Sequence, residues 1–275
     1  MTRLDLINTL IDLLVDEMPH YADQAAQVPA TDEASRRALL RALMNVRPPR
    51  HASERFIQLQ DELLRAETEE RGVVEPDDLP RTARDPRLAL WRGDITRLAT
   101  DAIVNAANSA LLGCFVPLHR CIDNVIHSAA GVQLRLACDD LMVAQGHEEP
   151  TGRAKVTAAY NLPAKFVVHA VGPIVHGELT DRDRSLLADC YRASLDSAAG
   201  EGCESIVFCC ISTGEFRFPH DEAARIAVDT ARAWLDAHAG DPRNPLRLVV
   251  FDVFGEQDER LYRDLLGPDA EPARA

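Results

Sequence analysis

Residues 102–131 read AIVNAANSALLGCFVPLHRCIDNVIHSAAG, and how this stretch divides decides the fold. Its start, AIVNAA (102–107), is a short apolar run of strand length. Its end, IDNVIHSAAG (122–131), spaces apolar residues as a helix does and stops on glycine. Between them lies GCFVPLHRC (113–121), with two cysteines, a histidine and a proline. A strand, a loop dense in reactive side chains and a helix make one α/β unit.

The alternation continues on both sides. LALW (88–91), AKVTAAY (154–160), KFVVHAV (165–171), SIVFCCIS (205–212) and PLRLVVFDV (245–253) read as further strands. VQLRLACDDLMVAQ, RSLLADCYRASLDSAAG and HDEAARIAVDTARAWLDAH read as helices, the last starting near Pro219. The expected class is α/β with a mostly parallel central sheet. Before about residue 87 the pattern is helical only. Leu4, Ile7, Leu10, Ile11 and Leu14 recur at helical spacing behind Thr2. SRRALLRALMNV ends before Pro48, and a third helix runs from Ser53 to Gly72. VVEPDDLPRTARDP (73–86) reads as a linker. The expected organisation is a helical extension over 1–86, an α/β domain over 87–267 and a disordered tail over 268–275.

Composition narrows the function. A chain that is 46% hydrophobic and 27% charged is an ordinary globular protein, with no apolar run of membrane-span length. Asp5, Asn8 and Asp12 break the first apolar residues, which makes them an amphipathic helix rather than an export signal. A cytoplasmic location with no membrane partner is therefore expected. Seven cysteines, an odd number, then argue for reduced thiols rather than a disulfide framework. A net charge of −14 opposes nucleic-acid binding, which needs cations to replace phosphate counterions. It does not oppose a small anion held by backbone N–H groups.

Four stretches could carry chemistry. Cys114, His119 and Cys121 suit zinc: two thiolates offset its charge, and three protein donors leave a fourth position open, as in catalytic sites. Their spacing is not helical, and Pro117 favours extended chain. On spacing alone a metal cage and a piece of core compete evenly, because free cysteine is often buried. The other four cysteines read as structural. Asn105 and Asn108 follow a strand end, where α/β sheets bind ligands, and asparagine both donates and accepts; turn formation explains them equally well. In ISTGEFRFP (211–219) a strand runs into Ser212, Thr213 and Gly214, whose N–H groups could cradle a pyrophosphate, with Phe216 and Phe218 beside it. Asp94 in RGDIT could accept from an exocyclic amine, or cap a turn. Asp123 could cap the following helix or act as a base, and His127 reads as a packed histidine.

In order, GDIT, VNAANS, IDNVIHSAAG, TGRAKVTAAYNLPAKFVVHAVGP and ISTGEFRFP resemble the macrodomain, a module that binds ADP-ribose; the resemblance covers roughly residues 88–265. It implies a three-layer α/β/α sandwich with a mixed six-stranded sheet. GCFVPLHRC stands where most hydrolytic macrodomains have a glycine-rich run. That resembles the microbial zinc-dependent subgroup, which also carries an N-terminal helical extension. The resemblance implies one catalytic Zn2+ on Cys114, His119 and Cys121, and removal of mono-ADP-ribose from modified proteins, with acidic side chains as attachment points. It implies a partner protein as substrate, in some members a lipoylated carrier modified by a sirtuin-like transferase. Asp94, with the backbone of Ile95, would take the adenine amine. Asn105 and Asn108 would line the distal ribose, and Gly113 would let the loop approach. Ser212, Thr213, Gly214, Glu215 and Phe216 would form the diphosphate loop. Asp123, with Asn108, would fill the catalytic role. Arg217 departs from the small residue common at its position. A reader that binds ADP-ribose without cleaving it is the alternative.

Overall fold

The computed structural model describes residues 1–269. Six strands form one sheet: β1 (Leu88–Arg92), β2 (Ala102–Ala107), β3 (Ala154–Ala158), β4 (Phe166–Val171), β5 (Ser205–Phe208) and β6 (Leu248–Val253). Their order is β1-β6-β5-β2-β4-β3. Every neighbouring pair is parallel except β3 and β4, which run antiparallel at one edge. Burial on both faces explains the apolar runs: in β5 and β6 every residue is buried. Helices α5 (Ile122–Ala130) and α6 (Val132–Gln145) cover one face. Helices α7 (Asp181–Gly200), α8 (His220–Ala237) and α9 (Glu256–Leu266) cover the other. This is the expected three-layer sandwich. Its parallel strands all end on one rim, which is where such sheets bind ligands.

Four helices precede the sheet: α1 (Arg3–Glu17), the short α2 (Ala22–Ala26), α3 (Glu33–Val46) and α4 (Glu54–Arg71). Their ends follow the cap residues. Thr2 and Asp5 form a reciprocal capping box on α1, Asp32 caps α3 and Ser53 caps α4. Leu10, Leu14, Leu40 and Phe56 build a core of their own, which Val132 of α6 joins. Each fully buried side chain of this kind contributes about 1.5–3 kcal/mol. The rest of the seam is polar. Gln60 Oε1 accepts from Val132 N at 2.9 Å, and Asn161 Nδ2 donates to Asp61 Oδ1 at 2.7 Å. Arg135 Nη1 donates to the carbonyls of Asn45 and Arg47 at 2.8 and 2.6 Å, capping the end of α3.

Three differences from the sequence reading have physical causes. Residues 73–86, read as a linker, are pinned: Val74 N bonds Arg97 O at 2.9 Å, Thr82 N bonds Leu88 O at 2.9 Å, and Leu79 is buried. The tail expected from residue 268 begins ordered, since Ala83 N bonds Pro268 O at 2.9 Å; from residue 270 it lies outside the described residues. The strand expected over 205–212 ends at Phe208, and the chain beyond it turns at Ser212, which takes a left-handed φ of 66°. Among the described residues no helix is long and apolar enough to cross a membrane.

One buried carboxylate is a liability. Asp252 near the end of β6 is buried and its Oδ1 has no partner. Burial, then the charge of Asp94, pushes its carboxyl well above the ordinary value. The folded state therefore prefers the protonated form. Stability is full below the unfolded value near 4 and falls as pH rises through the folded value. Asp252→Asn is expected to raise stability at pH 8 by about 1–3 kcal/mol, with the gain fading below about pH 4. Urea unfolding at both pH values checks it.

Candidate functional site

The loops leaving the parallel strands meet on the rim. Gly93 and Asp94 follow β1, Asn105 lies in β2 and Asn108 follows it, Gly172 follows β4, and residues 209–218 follow β5. At Gly172 an added Cβ would lie 2.1 Å from Ser212 Oγ and 2.9 Å from Ile211 Cγ2, so the rim packs tightly against the β5 loop there.

The centre is a buried hub. Asn105 Nδ2 donates to Asp123 Oδ1 at 2.8 Å, and Asn108 Nδ2 donates to Asp123 Oδ2 at 3.3 Å. Asn108 also forms the turn the sequence allowed, since Ala110 N bonds its Oδ1 at 3.1 Å. Asn105 lies 3.2 Å from His169 Nδ1, and its amide can only donate there. The proton of His169 therefore sits on Nε2, 2.9 Å from Thr157 Oγ1. Burial pushes His169 down to about 3, so the ring is neutral. Asp123 sits in the first turn of α5. Burial pushes its carboxyl up to about 6, against the amide of Asn105 and the charge of Arg135. His127 Nε2 lies 3.5 Å from Asp123 Oδ1. Burial holds His127 well below its ordinary value, so this is no ion pair. Neither of its ring nitrogens has a hydrogen-bond partner among the described residues.

Beside the hub stands the trio from GCFVPLHRC. Donor atoms of Cys114, His119 and Cys121 lie within 4.8 Å of one another, all half-buried. Cys114 Sγ is 3.7 Å from His119 Nδ1. Two ligands of one tetrahedral zinc, S at 2.3 Å and N at about 2.05 Å, are separated by roughly 3.6 Å. The residues present therefore fit zinc. Cys121 is also the N-cap of α5, its Sγ accepting from Asn124 N at 3.4 Å. Burial, then the neighbouring Cys114 and Asp123, pushes its thiol up to about 12. Metal binding at neutral pH must therefore release a proton. His119 Nε2 faces Glu215 Oε1 at 3.5 Å, a carboxylate placed to orient the ring. Gly113 opens this loop at φ 77°, and an added Cβ would sit 2.9 Å from the His127 ring. A second group, His127, Cys138 and His169, also has donors within 4.8 Å, but fully buried. Both nitrogens of His169 are engaged as described, and Cys138 stays the core thiol the sequence suggested.

The remaining expected residues fall at two ends of the rim. Asp94 caps a turn at Ile95–Arg97: its Oδ1 accepts from Thr96 N at 3.0 Å. Its Oδ2 accepts from Arg71 of α4 at 2.7 Å, a partner sequence reading missed. Ile95 is buried beneath that turn. In the β5 loop Thr213 Oγ1 bonds Cys210 O at 3.0 Å, and the buried Ser212 Oγ has no partner among the described residues. A Cβ at Gly214 would meet nothing within 4 Å, so chain packing does not require that glycine. Phe216 is half-buried, but Phe218 lies in the core and cannot close over a ligand. Phe254 went unread in the sequence. The register that pairs Arg92 with Val253 brings it next to the Gly93–Asp94 turn, 87% exposed. An aromatic residue left bare at a strand end was its only signal.

A family model described as Macro domain matches residues 104–227. A protein from Treponema medium named protein-ADP-ribose hydrolase is 50% identical over 268 residues, covering 97% of this chain and 100% of that protein. One of the same name from Staphylococcus aureus strain MRSA252 is 44% identical over 234 residues, 85% of each chain. Among solved structures, a Trypanosoma brucei macrodomain in complex with ADP superposes with a TM-score of 0.60 at 36% identity, over 71% of this chain and 77% of that one.

Proposed function

This chain belongs to the macrodomain family, and we propose that it removes mono-ADP-ribose from modified proteins by zinc-assisted hydrolysis. The observation that carries the reading is the placement of the Cys114–His119–Cys121 trio beside the Asn105–Asn108–Asp123 hub, on the ligand-binding rim of the sheet. The names of its relatives support the hydrolase class.

In this reading the adenine lies between the Asp94 turn and Phe254. The diphosphate rests on the loop Ser212–Phe216, where the bare Gly214 leaves room and Ser212 Oγ lacks a partner. These remote contacts fix the reacting ribose against the hub. Cys114, His119 and Cys121 would hold the ion, with Glu215 behind His119. Bound there, zinc would supply Lewis acidity to the site. Asn105 and Asn108 orient both oxygens of Asp123, and its carboxylate takes the proton from the attacking water. The bond broken joins the ribose to an acidic side chain of the partner protein.

The test uses the full-length, zinc-loaded chain. Its substrates are a protein mono-ADP-ribosylated on acidic side chains and, in a second arm, a modified lipoylated carrier. Wild type is expected to release free ADP-ribose, and Asp123→Asn to slow release by about 10²–10⁴-fold. Wild type that binds ADP-ribose and releases none from either substrate overturns the hydrolase reading in favour of a reader.

A further inference from the structure

The loop that carries the trio is not held by burial. Phe115, Val116 and Leu118 are 40%, 56% and 44% exposed, and Leu118 sits in the left-handed region at φ 57°. Within the loop itself two hydrogen bonds support the backbone: His119 N to Val116 O at 3.2 Å, and Cys121 N donating to His119 Nδ1 at 3.4 Å. Its remaining support comes from outside. On α3, Arg41 and Asn45 stand four residues apart and so share a helix face. Arg41 Nη2 donates to His119 O at 2.9 Å and to Asn124 Oδ1 at 2.8 Å. Asn45 Oδ1 accepts from Leu118 N at 3.0 Å. Asn124, fully buried, passes the constraint on: its Nδ2 donates to the carbonyls of Cys114 and Val116 at 3.2 and 3.0 Å. Ser128 Oγ accepts from Arg41 Nε at 3.3 Å and Asn45 Nδ2 at 3.0 Å, and donates to Asn124 Oδ1 at 3.2 Å. Among the described residues, Arg41 has no carboxylate partner. Its donors go to oxygens of the loop and of α5.

We propose that Arg41 and Asn45 are positioning residues for the metal group: the N-terminal helices act as the outer wall of the site, clamping the backbone on which Cys114, His119 and Cys121 stand. The inference rests on the zinc reading given above. Ligand geometry set in advance strengthens metal binding, and partners behind the ligands typically contribute 10–100-fold in affinity. A wall built from another part of the chain explains how a short, exposed loop keeps three donors within 4.8 Å.

The experiment compares wild type, Arg41→Ala, Asn45→Ala and Arg41→Lys as full-length, zinc-loaded proteins. Arg37→Ala serves as the control on the same helix, because Arg37 pairs with Glu67 at 2.6 Å and touches none of the loop. Zinc release to a chelating dye and zinc affinity by competition are read beside Tm. Arg41→Ala and Asn45→Ala are each expected to weaken zinc binding about 10–100-fold, with Tm shifts no larger than that of Arg37→Ala. Arg41→Lys is expected to recover part of the loss, since one ammonium can reach His119 O but cannot span Ser128 and Asn124 as well. Should Arg41→Ala misfold, Asn45→Ala and Arg41→Lys decide. Zinc release unchanged in the folded variants overturns the proposal and leaves the zinc reading intact. Wild type that holds no zinc overturns both.

Discussion

On the proposed zinc reading, Cys121→Ala is expected to bind no zinc and to hydrolyse mono-ADP-ribosylated protein about 10³-fold more slowly than wild type. Removing one of three protein donors leaves a cysteine and a histidine, too few to hold the ion tightly. The residue has a second task, because its sulfur caps α5 through Asn124 N at 3.4 Å. Loss of that cap costs roughly 1 kcal/mol, so alanine confounds metal with stability. Cys121→Ser separates them: serine is a preferred N-cap but a poor zinc ligand. It is expected to keep the Tm of zinc-free wild type and still lose metal and activity. Metal content, initial rate and Tm measured on all three proteins decide the matter. Serine with full zinc and full rate sinks the ligand assignment.

Arg135→Leu is expected to destabilise the fold by about 3–5 kcal/mol, the scale of an uncompensated buried polar network. In a chain of this size that lowers Tm by roughly 10 °C. Arg135 is buried, and burial pulls its guanidinium down to about 10, which leaves it charged at neutral pH. Its Nη1 serves the carbonyls of Asn45 and Arg47, its Nε donates to Leu112 O at 2.7 Å, and the guanidinium lies 4.1 Å from the centre of the Phe115 ring. Leucine replaces the volume and strands those carbonyls without partners. Arg135→Lys is expected to recover part of the loss by satisfying one of them. Guanidinium unfolding followed by circular dichroism gives the number; a loss under 1 kcal/mol for leucine contradicts the account.

The central sheet was legible because its inner strands are buried on both faces and so nearly all apolar, as in LVVFDV of β6, where Asp252 is the exception. Helix α9 was not. Its sequence, EQDERLYRDLL, is mostly charged, and the stripe of Leu261, Tyr262, Leu265 and Leu266 means little until a sheet lies beneath it. The end of β5 was misplaced for a related reason: Cys209 and Ile211 stay buried after the ladder stops, so hydrophobicity runs past the strand. In the site, donor chemistry was readable from residue type, and the structure brings Cys114, His119 and Cys121 together as their spacing allowed. The partners were not readable. Arg71 meets Asp94 across 23 residues, and Arg41 meets His119 across 78, distances at which a single sequence carries no pairing signal.

The strand order also sets a timetable. β1 pairs only with β6 in the sheet, Leu88 lying against Val249. At ordinary rates of synthesis, roughly 8–30 s separate the appearance of the two. Until then the first strand of the domain lacks its neighbour in the sheet and keeps only local pairing, such as Thr82 N to Leu88 O and the bridge of Arg81 with Ala89. The helices α1 to α4 and the loop over 113–121 are already made. On a ribosome the clamp on the Cys/His loop can therefore close before the sheet does. The last strand to emerge, not the first, completes the fold.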